Sequence, residues 1–356
     1  GKTGEQPAAV SWDELVFDRT MPLRYAEQFS VEYAGDSYKR ITINNDRVYL
    51  LVAEGAAVPA KIDSSVTVLQ QPLDKIYLAA TSAMSLFAAV DALDHIRLTG
   101  TRESGWYIDA AVEAMQRGDI EFAGKYSEPD YERLIDEECD LAIESTMIYH
   151  TPKVKEQLER LGIPVLVERS SYESNPLGRM EWIKLYGVLT GKEEQAEALY
   201  DEQLDALAPI LDRPSTGKTA AFFYITANGA ANVRKSTDYV AKMLELAGGK
   251  YIFDDLTDDD ARSTMNMQME SFYAGAKDAD VLIYNSTIDG ELQTLDELLA
   301  KSPLFADFKA VQTGNVWCIT KNFYQESLAL GDMILDVHAV LNNPDAADLR
   351  FLKKLS

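Results

Sequence analysis

Two blocks in which short apolar runs alternate with helix-period segments flank a stretch, residues 180–211, that is helical in pattern almost throughout. Such a chain is constrained to α/β organisation on both sides of a helical connection. In the first block, residues 75–80 make a continuous apolar strand, 82–93 a helix and 95–98 another short strand. That is a βαβ unit, which implies a parallel sheet covered by helices. Tyr131, Leu134, Ile135 and Cys139 then fall at helical spacing before a strand over 141–144. A further helix carries Val154, Leu158 and Leu161 on one face, stops at Gly162, and passes at once into a strand over 163–167.

Pro176 marks a change. The helical stretch is interrupted at Thr190-Gly191 and ended by Pro214; having no strand partner, it is expected to pack across both halves. After Gly217 the rhythm returns: strand 219–225, helix 238–247 closed by Gly248-Gly249, helix 270–277, strand 280–284, helix 295–300, strand 316–320 and helix 326–341. Ahead of all this, residues 24–52 alternate apolar with polar side chains, as in Phe29, Val31 and Tyr33 and again Ile41 and Ile43, and read as a β-hairpin or meander. The expected fold class is α/β: two Rossmann-like lobes with parallel sheets joined by a long helical linker, with an N-terminal β-hairpin elaboration. The expected divisions are 1–175, 176–214 and 215–356. No short-period repeat or low-complexity tract interrupts them.

The 356 residues suffice for two domains of ordinary size. No run approaches the roughly 18–20 apolar residues of a membrane span. The opening Gly1-Lys2-Thr3-Gly4-Glu5-Gln6-Pro7 is polar and linker-like, compatible with a processed N-terminus and with a cytoplasmic protein alike. A formal net charge of −24 argues against nucleic acid as a partner, because a phosphate backbone requires a basic surface. Cys139 and Cys318 lie far apart in apolar patterns and read as small core residues.

Signatures of catalysis are missing. Ser215-Thr216-Gly217-Lys218-Thr219 resembles the end of a phosphate-binding loop, but Asp212 stands where the first glycine belongs and the strand follows the motif instead of preceding it. It reads as a turn before a strand. His95, His150 and His338 make no paired metal motif, and His95 and His338 read as structural. Asp254, Asp255, Asp258, Asp259 and Asp260 lack the spacing of a calcium loop and read as a solvated turn. Neither a resident cofactor nor a metal site is expected.

What the sequence does offer is a set of loops suited to a large ligand. In open α/β sheets, ligands bind outside the carboxyl ends of the strands. Loops at those ends hold Trp106 and Tyr107, Met147 and Tyr149, and Arg169 and Tyr172 in the first lobe. In the second they hold Asn228, Asn232 and Arg234, then Asn285, then Asn322, Phe323 and Tyr324. Aromatic faces with polar edges suit a broad, flat ligand. Arg102, Arg169, Arg234 and Arg262 fall near these loops and would favour an anionic one. Tyr149 or His150 could ligate a haem iron axially; neighbours on an extended segment point opposite ways, so one of the two would face the ligand.

From about Lys75 onward the chain resembles the periplasmic binding proteins of ABC importers for ferric siderophores, haem and cobalamin. The likeness is densest over Asp130-Tyr131-Glu132-Arg133-Leu134-Ile135, Asp140-Leu141-Ala142-Ile143 and Leu161-Gly162-Ile163-Pro164-Val165. It continues through Glu181-Trp182-Ile183 and Leu189-Thr190-Gly191-Lys192-Glu193-Glu194-Gln195-Ala196-Glu197, then Met269-Glu270-Ser271-Phe272 and Asp278-Ala279-Asp280-Val281-Leu282-Ile283. The resemblance implies two lobes bridged by a long helix, no enzymatic turnover, and a ligand held in an interlobe cleft and handed to a membrane permease with its ATPase. It also implies docking through one glutamate per lobe, here Glu132 and Glu270, onto permease arginines. Export is implied as well, often as a lipoprotein whose signal and lipid-bearing cysteine lie upstream, and a monomer is expected. An iron complex, ferric siderophore or haem, is the first expectation and a corrinoid the second. A two-lobed α/β enzyme, of the metal-cluster or nucleotide-sugar kind, would need cysteine ligands or a diphosphate loop that this sequence does not have.

Overall fold

The computed structural model describes residues 10–257 and 262–356; the opening seven residues and Asp258, Asp259 and Asp260 lie outside the described residues. The chain divides into two compact units, Gly1–Glu173 with Gly178–Tyr200, and Ser174–Leu177 with Asp201–Ser356. The division falls inside the helix Glu193–Leu211, so a helix carries the chain from one unit to the next.

The first unit opens with the expected meander, enlarged by further strands. Strands β1 (Arg19–Thr20), β2 (Phe29–Ala34), β3 (Tyr38–Ile43), β4 (Arg47–Val52) and β5 (Val66–Gln70) form a five-stranded sheet in that order. The first four are an antiparallel meander, whereas β5 returns parallel to β4. Alternation sends Phe29, Val31 and Tyr33 to the buried face with Ile41 and Ile43. A separate small core under the sheet packs Tyr38, Leu50 and Val52 against Trp12, Leu15 and Phe17.

The second sheet of this unit is wholly parallel: β6 (Ile76–Leu78), β7 (Ile96–Thr99), β8 (Glu121–Phe122), β9 (Leu141–Ser145) and β10 (Val165–Glu168), in the order β10-β9-β6-β7-β8. The chain runs outward from β6 on one side, then restarts from β9 on the other. β6 and β9 therefore flank a topological switch point of the kind that receives ligands in doubly wound sheets. One core cluster joins Tyr77, Leu98 and Ala142 of the sheet to Leu134, Ile148 and Leu158 of the covering segments. Val154 and Leu158 are buried as their spacing requires; Leu161, expected on the same face, follows the end of Pro152–Arg160 and is exposed. Every residue of the helix Ile183–Thr190 is buried, Lys184 included, and Gly191 ends it in the left-handed conformation.

The second unit holds β11 (Thr219–Ile225), β12 (Ala231–Arg234), β13 (Lys250–Tyr251), β14 (Thr264–Met267), β15 (Val281–Tyr284), β16 (Val316–Ile319) and β17 (Leu352–Lys354). β13, β11, β15 and β16 run parallel, while β12, β14 and β17 add antiparallel edges. Rings of Phe223, Phe272, Phe305 and Phe308 meet at centroid distances of 4.7–6.3 Å and form its aromatic core. The phosphate-loop lookalike is a turn: Gly217 has φ +73°, the Thr216 hydroxyl donates to Gly248 O at 2.8 Å, and the strand begins at Thr219.

Candidate functional site

In the first unit the loops after β7, β9 and β10 carry the expected residues. The loop after β9 is a tight 3-10 turn, Thr146–His150, opened by the Ser145 hydroxyl accepting from Met147 N at 3.2 Å. The turn sinks Ile148 into the core and swings its neighbours outward, leaving Met147 47% and Tyr149 46% exposed, and His150 exposed beside them. A second 3-10 turn after β10, Ser170–Tyr172, presents Tyr172 with 53% exposed.

Arg169 joins these two turns. Its guanidinium carbon lies 4.1 Å from the Tyr172 ring centroid and 5.7 Å from that of Tyr149. Its Nη1 donates to the Tyr149 hydroxyl at 2.7 Å and its Nε to Gln28 Oε1 at 3.1 Å. Cation–π attraction and two hydrogen bonds thus fix a cation between two partly exposed aromatic rings. Tyr107, after β7, is 47% exposed, but its neighbour Trp106 is buried and donates its indole N–H to Thr101 O at 3.3 Å. Trp106 shapes its own loop. Arg102 lies 4.3 Å over the Phe122 ring.

In the second unit the expected residues divide into exposed and internal groups. Asn228 is exposed in the β11–β12 turn, accepting from the Thr226 hydroxyl, and Asn232 pairs with Asn266 across β12 and β14 at 2.9 Å. Asn285 is buried; its Oδ1 accepts from Thr287 N at 3.1 Å, from the Thr287 hydroxyl, and from the Tyr324 hydroxyl at 2.8 Å. Phe323 is buried between Tyr324 and Phe351, with centroids at 5.0 and 5.4 Å, and the Thr320 hydroxyl donates to Asn322 at 2.7 Å. Burial pushes the Tyr324 phenol well above its ordinary range. Arg234 sits 3.6 Å from Asp238 and over the Phe222 ring, so its charge is answered within the unit. Asn285, Phe323, Tyr324 and Arg234 thus all make contacts with residues of their own unit. Arg262 is exposed. Ile288, 69% exposed in the turn after β15, was not anticipated; an isoleucine inside Thr287-Ile288-Asp289-Gly290 is its only sequence signal.

Glu132 and Glu270 both occupy the first turn of a helix, Tyr131–Asp136 and Met269–Ala276, where the macrodipole favours an acid. Asp130 caps the first helix by accepting from Arg133 N at 3.1 Å. Both glutamates are exposed, and neither side chain makes a hydrogen bond or ion pair among the described residues.

Sequence reasoning missed the buried acids. Glu144, read simply as the end of an apolar strand, is fully buried; neither carboxyl oxygen has a partner among the described residues, and burial pushes its pKa up to about 8. Glu168 is buried too, but accepts from Ser170 N and the Tyr186 hydroxyl. The histidines behave as structural groups: His95 Nδ1 lies 2.6 Å from Leu73 O and His338 Nδ1 3.0 Å from Ala247 O. Both cysteines are free and buried, and burial pushes their thiols up to about 12 and 11. Among the described residues no group of three or more His, Cys, Asp or Glu is placed to hold a metal ion. Asp254 and Asp255 are exposed, Asp254 lying 3.6 Å from Lys250.

The profile of the periplasmic binding proteins matches residues 76–322, and the chain belongs to that family. An uncharacterized lipoprotein of Methanocaldococcus jannaschii is 25% identical over 334 residues, covering 88% of this chain and 77% of that protein. Among solved structures, the periplasmic haem-binding protein of Vibrio cholerae superposes with a TM-score of 0.59 at 20% identity, covering 74% of this chain and 97% of its own. The periplasmic vitamin B12 binding protein of the same organism superposes at 0.55 with 15% identity, covering 78% and 99%. These likenesses establish the fold: the matched region is an α/β binding-protein scaffold, preceded here by a five-stranded sheet outside the family match. Among the described residues no helix is long and apolar enough to cross a membrane.

Proposed function

We propose that this chain is the extracytoplasmic solute-binding subunit of an ABC importer, lipid-anchored and monomeric, that captures an iron complex and delivers it to a membrane permease and its ATPase without chemical turnover. The carrying observation is the cation of Arg169 held between Tyr149 and Tyr172 at the carboxyl edge of a parallel sheet. A guanidinium framed by aromatic faces recognises a ligand that is both anionic and broad, as ferric siderophores and haem are. Tyr107 and Met147, both about half exposed, extend the surface within the same unit. Tyr149, with its hydroxyl already engaged by Arg169, or His150 would be the axial ligand if the iron is bound directly. Glu132 and Glu270 are the docking carboxylates. They are exposed and unpaired among the described residues, and so are free to meet basic groups on a permease.

A corrinoid is the second reading, favoured by the exposed Tyr107 and Met147, which offer apolar area without charge. Tryptophan-fluorescence titration against haemin, several ferric siderophores and cobalamin, corrected for inner-filter absorption, tests both. One-to-one saturable quenching by an iron complex, weakened in Tyr149→Ala, supports the first reading; quenching by cobalamin alone supports the second. No response to any of them would sink the iron-or-corrinoid assignment.

A further inference from the structure

Where the β3–β4 hairpin meets the end of β10, the first unit encloses a cavity of about 200 Å³. Its walls bring together Arg47, Lys155 and Arg169 against the single carboxylate of Asp46, with the Asn44 amide and the Tyr149 side chain completing the polar lining. In a chain of net charge −24, three cations around one small cavity is a local reversal of composition.

Two of these cations are electrostatically unanswered. Lys155 is ion-paired with Glu159, one helical turn on. Arg169 donates to the neutral partners Gln28 and Tyr149 and meets no carboxylate among the described residues. The Arg47 side chain makes no hydrogen bond or ion pair among them. The mouth is held in shape by the hairpin, whose turn residues Asn44 and Asn45 take φ of 57° and 54°, a conformation that asparagine tolerates better than most residues. Asn44 N donates to Gln28 O at 2.8 Å, tying the turn to the same glutamine that anchors Arg169.

Size limits the occupant. Sites for drug-sized ligands run to about 300–1,000 Å³, so this cavity is too small for a porphyrin, a corrin or a whole siderophore. We propose that it binds a small oxyanion of the phosphate or carboxylate type, gripped by the guanidinium groups of Arg47 and Arg169 with the Lys155 ammonium behind them. Guanidinium forks match the paired oxygens of such groups. The oxyanion arrives free or as the acid arm of a larger molecule. The cavity shares Arg169 and Tyr149 with the proposed cargo site, but the inference does not depend on the transport reading, because Arg47, Lys155 and Asn44 belong to the cavity alone and phosphate is read without any cargo.

Calorimetric titration of inorganic phosphate, in a buffer without other oxyanions, tests it. Saturable binding at one site is expected, weakened about tenfold in Arg47→Gln, lost in the double variant Arg47→Gln/Lys155→Gln, and unchanged in Lys192→Gln, which lies outside the cavity. Arg47 is exposed, and a thermal melt confirms that its variant is folded. Repeating the titration in excess haemin separates the sources: competition identifies an acid arm entering the cavity, and independence a free anion. Absence of saturable phosphate binding, or wild-type affinity in the double variant, overturns the proposal. Since phosphate is read without any cargo, this failure is distinguishable from a failure to bind iron complexes or corrinoids.

Discussion

Glu181 Oε1 accepts the backbone N–H of Tyr25 at 2.8 Å, across 156 residues of sequence, and the same carboxylate takes the N–H groups of Arg24 and Ala26. Glu173 continues the run, accepting from Glu27 N at 2.7 Å and Gln28 N at 2.9 Å. Five successive backbone donors ahead of β2 are therefore satisfied by two acids from the α/β part of the unit. Beside them Phe29 packs edge-on against Trp182 at 5.0 Å, and Lys184 pairs with Glu181 at 2.7 Å in a buried setting. The N-terminal sheet is fastened to the parallel-sheet layer by carboxylates, and the fastening leads directly into the proposed site, because Gln28 also holds Arg169.

Glu181→Gln should therefore destabilise the protein by about 3 kcal/mol, since it leaves the buried Lys184 ammonium unanswered and weakens three donors at once. Urea or thermal unfolding measures the loss. Early cleavage by protease within residues 10–70, before the rest of the chain is cut, would place the damage at the fastening. A wild-type unfolding curve would mean that the carboxylate contributes nothing net.

Arg169 should matter for ligand capture and little for stability, because its partners Tyr149 and Tyr172 are both about half exposed. Arg169→Ala is expected to weaken the cargo found by fluorescence titration by at least about tenfold, with a melting temperature close to wild type. Arg169→Lys should recover only part, since an ammonium keeps the charge but not the fork or the stacking plane. Equal affinities for all three proteins would remove Arg169 from the site.

Reversing the two docking carboxylates separates binding from delivery. Glu132→Arg and Glu270→Arg, singly or together, should leave the cargo dissociation constant within about twofold, because exposed charges that make no contact with the ligand contribute little. Uptake by membranes carrying the cognate permease should fall steeply in the double variant and become less salt-sensitive. Undiminished transport by the double variant would assign both acids to their helix dipoles alone.

Much of this architecture can be read from the residues, and the exceptions have physical causes. The strand 219–225 is expected and found with identical limits, because Thr-Ala-Ala-Phe-Phe-Tyr-Ile is a mostly buried apolar run bounded by the turn at Gly217. The helix expected over 82–93 stops at Ala89, since Asp91 takes a left-handed φ of 55° and residues 93–95 tighten into a 3-10 turn. The last helix starts at Leu330 instead of 326 because Ser327–Ala329 is likewise 3-10. The hairpin or meander expected over 24–52 is an antiparallel meander that extends to a five-stranded sheet; β5 pairs in parallel after a crossover, and its partly exposed residues carry only a faint alternation. Of the loop aromatics and Met147, the fold leaves Met147, Tyr149 and Tyr172 exposed and buries Trp106 and Phe323. An aromatic in a loop carries the same letter whether it faces a ligand or fills the turn, and only the fold decides. The fastening by Glu173 and Glu181 had no local signal, because its donors are backbone groups some 150 residues away.

Glu144 gives the sharpest pH test. Its carboxyl is buried with neither oxygen partnered among the described residues, and its pKa rises to about 8 from an ordinary value of 4.5. The cause is desolvation, so the neutral acid is the folded form and the unfolded chain binds fewer protons between these two values. Stability from this group is thus fully present below the unfolded pKa and declines as pH rises toward 8, by up to about 1.4 kcal/mol per pH unit. Tyr77, Tyr131 and Cys139 share its surroundings, and burial pushes their own pKa values upward as well. Glu144→Gln removes the titrating group while keeping its size. The variant should equal or fall slightly below wild type at pH 5 and exceed it at pH 8, so that the two stability curves cross. Parallel curves for wild type and variant between pH 5 and 8 would mean that water reaches this carboxyl and that it titrates as an ordinary surface acid.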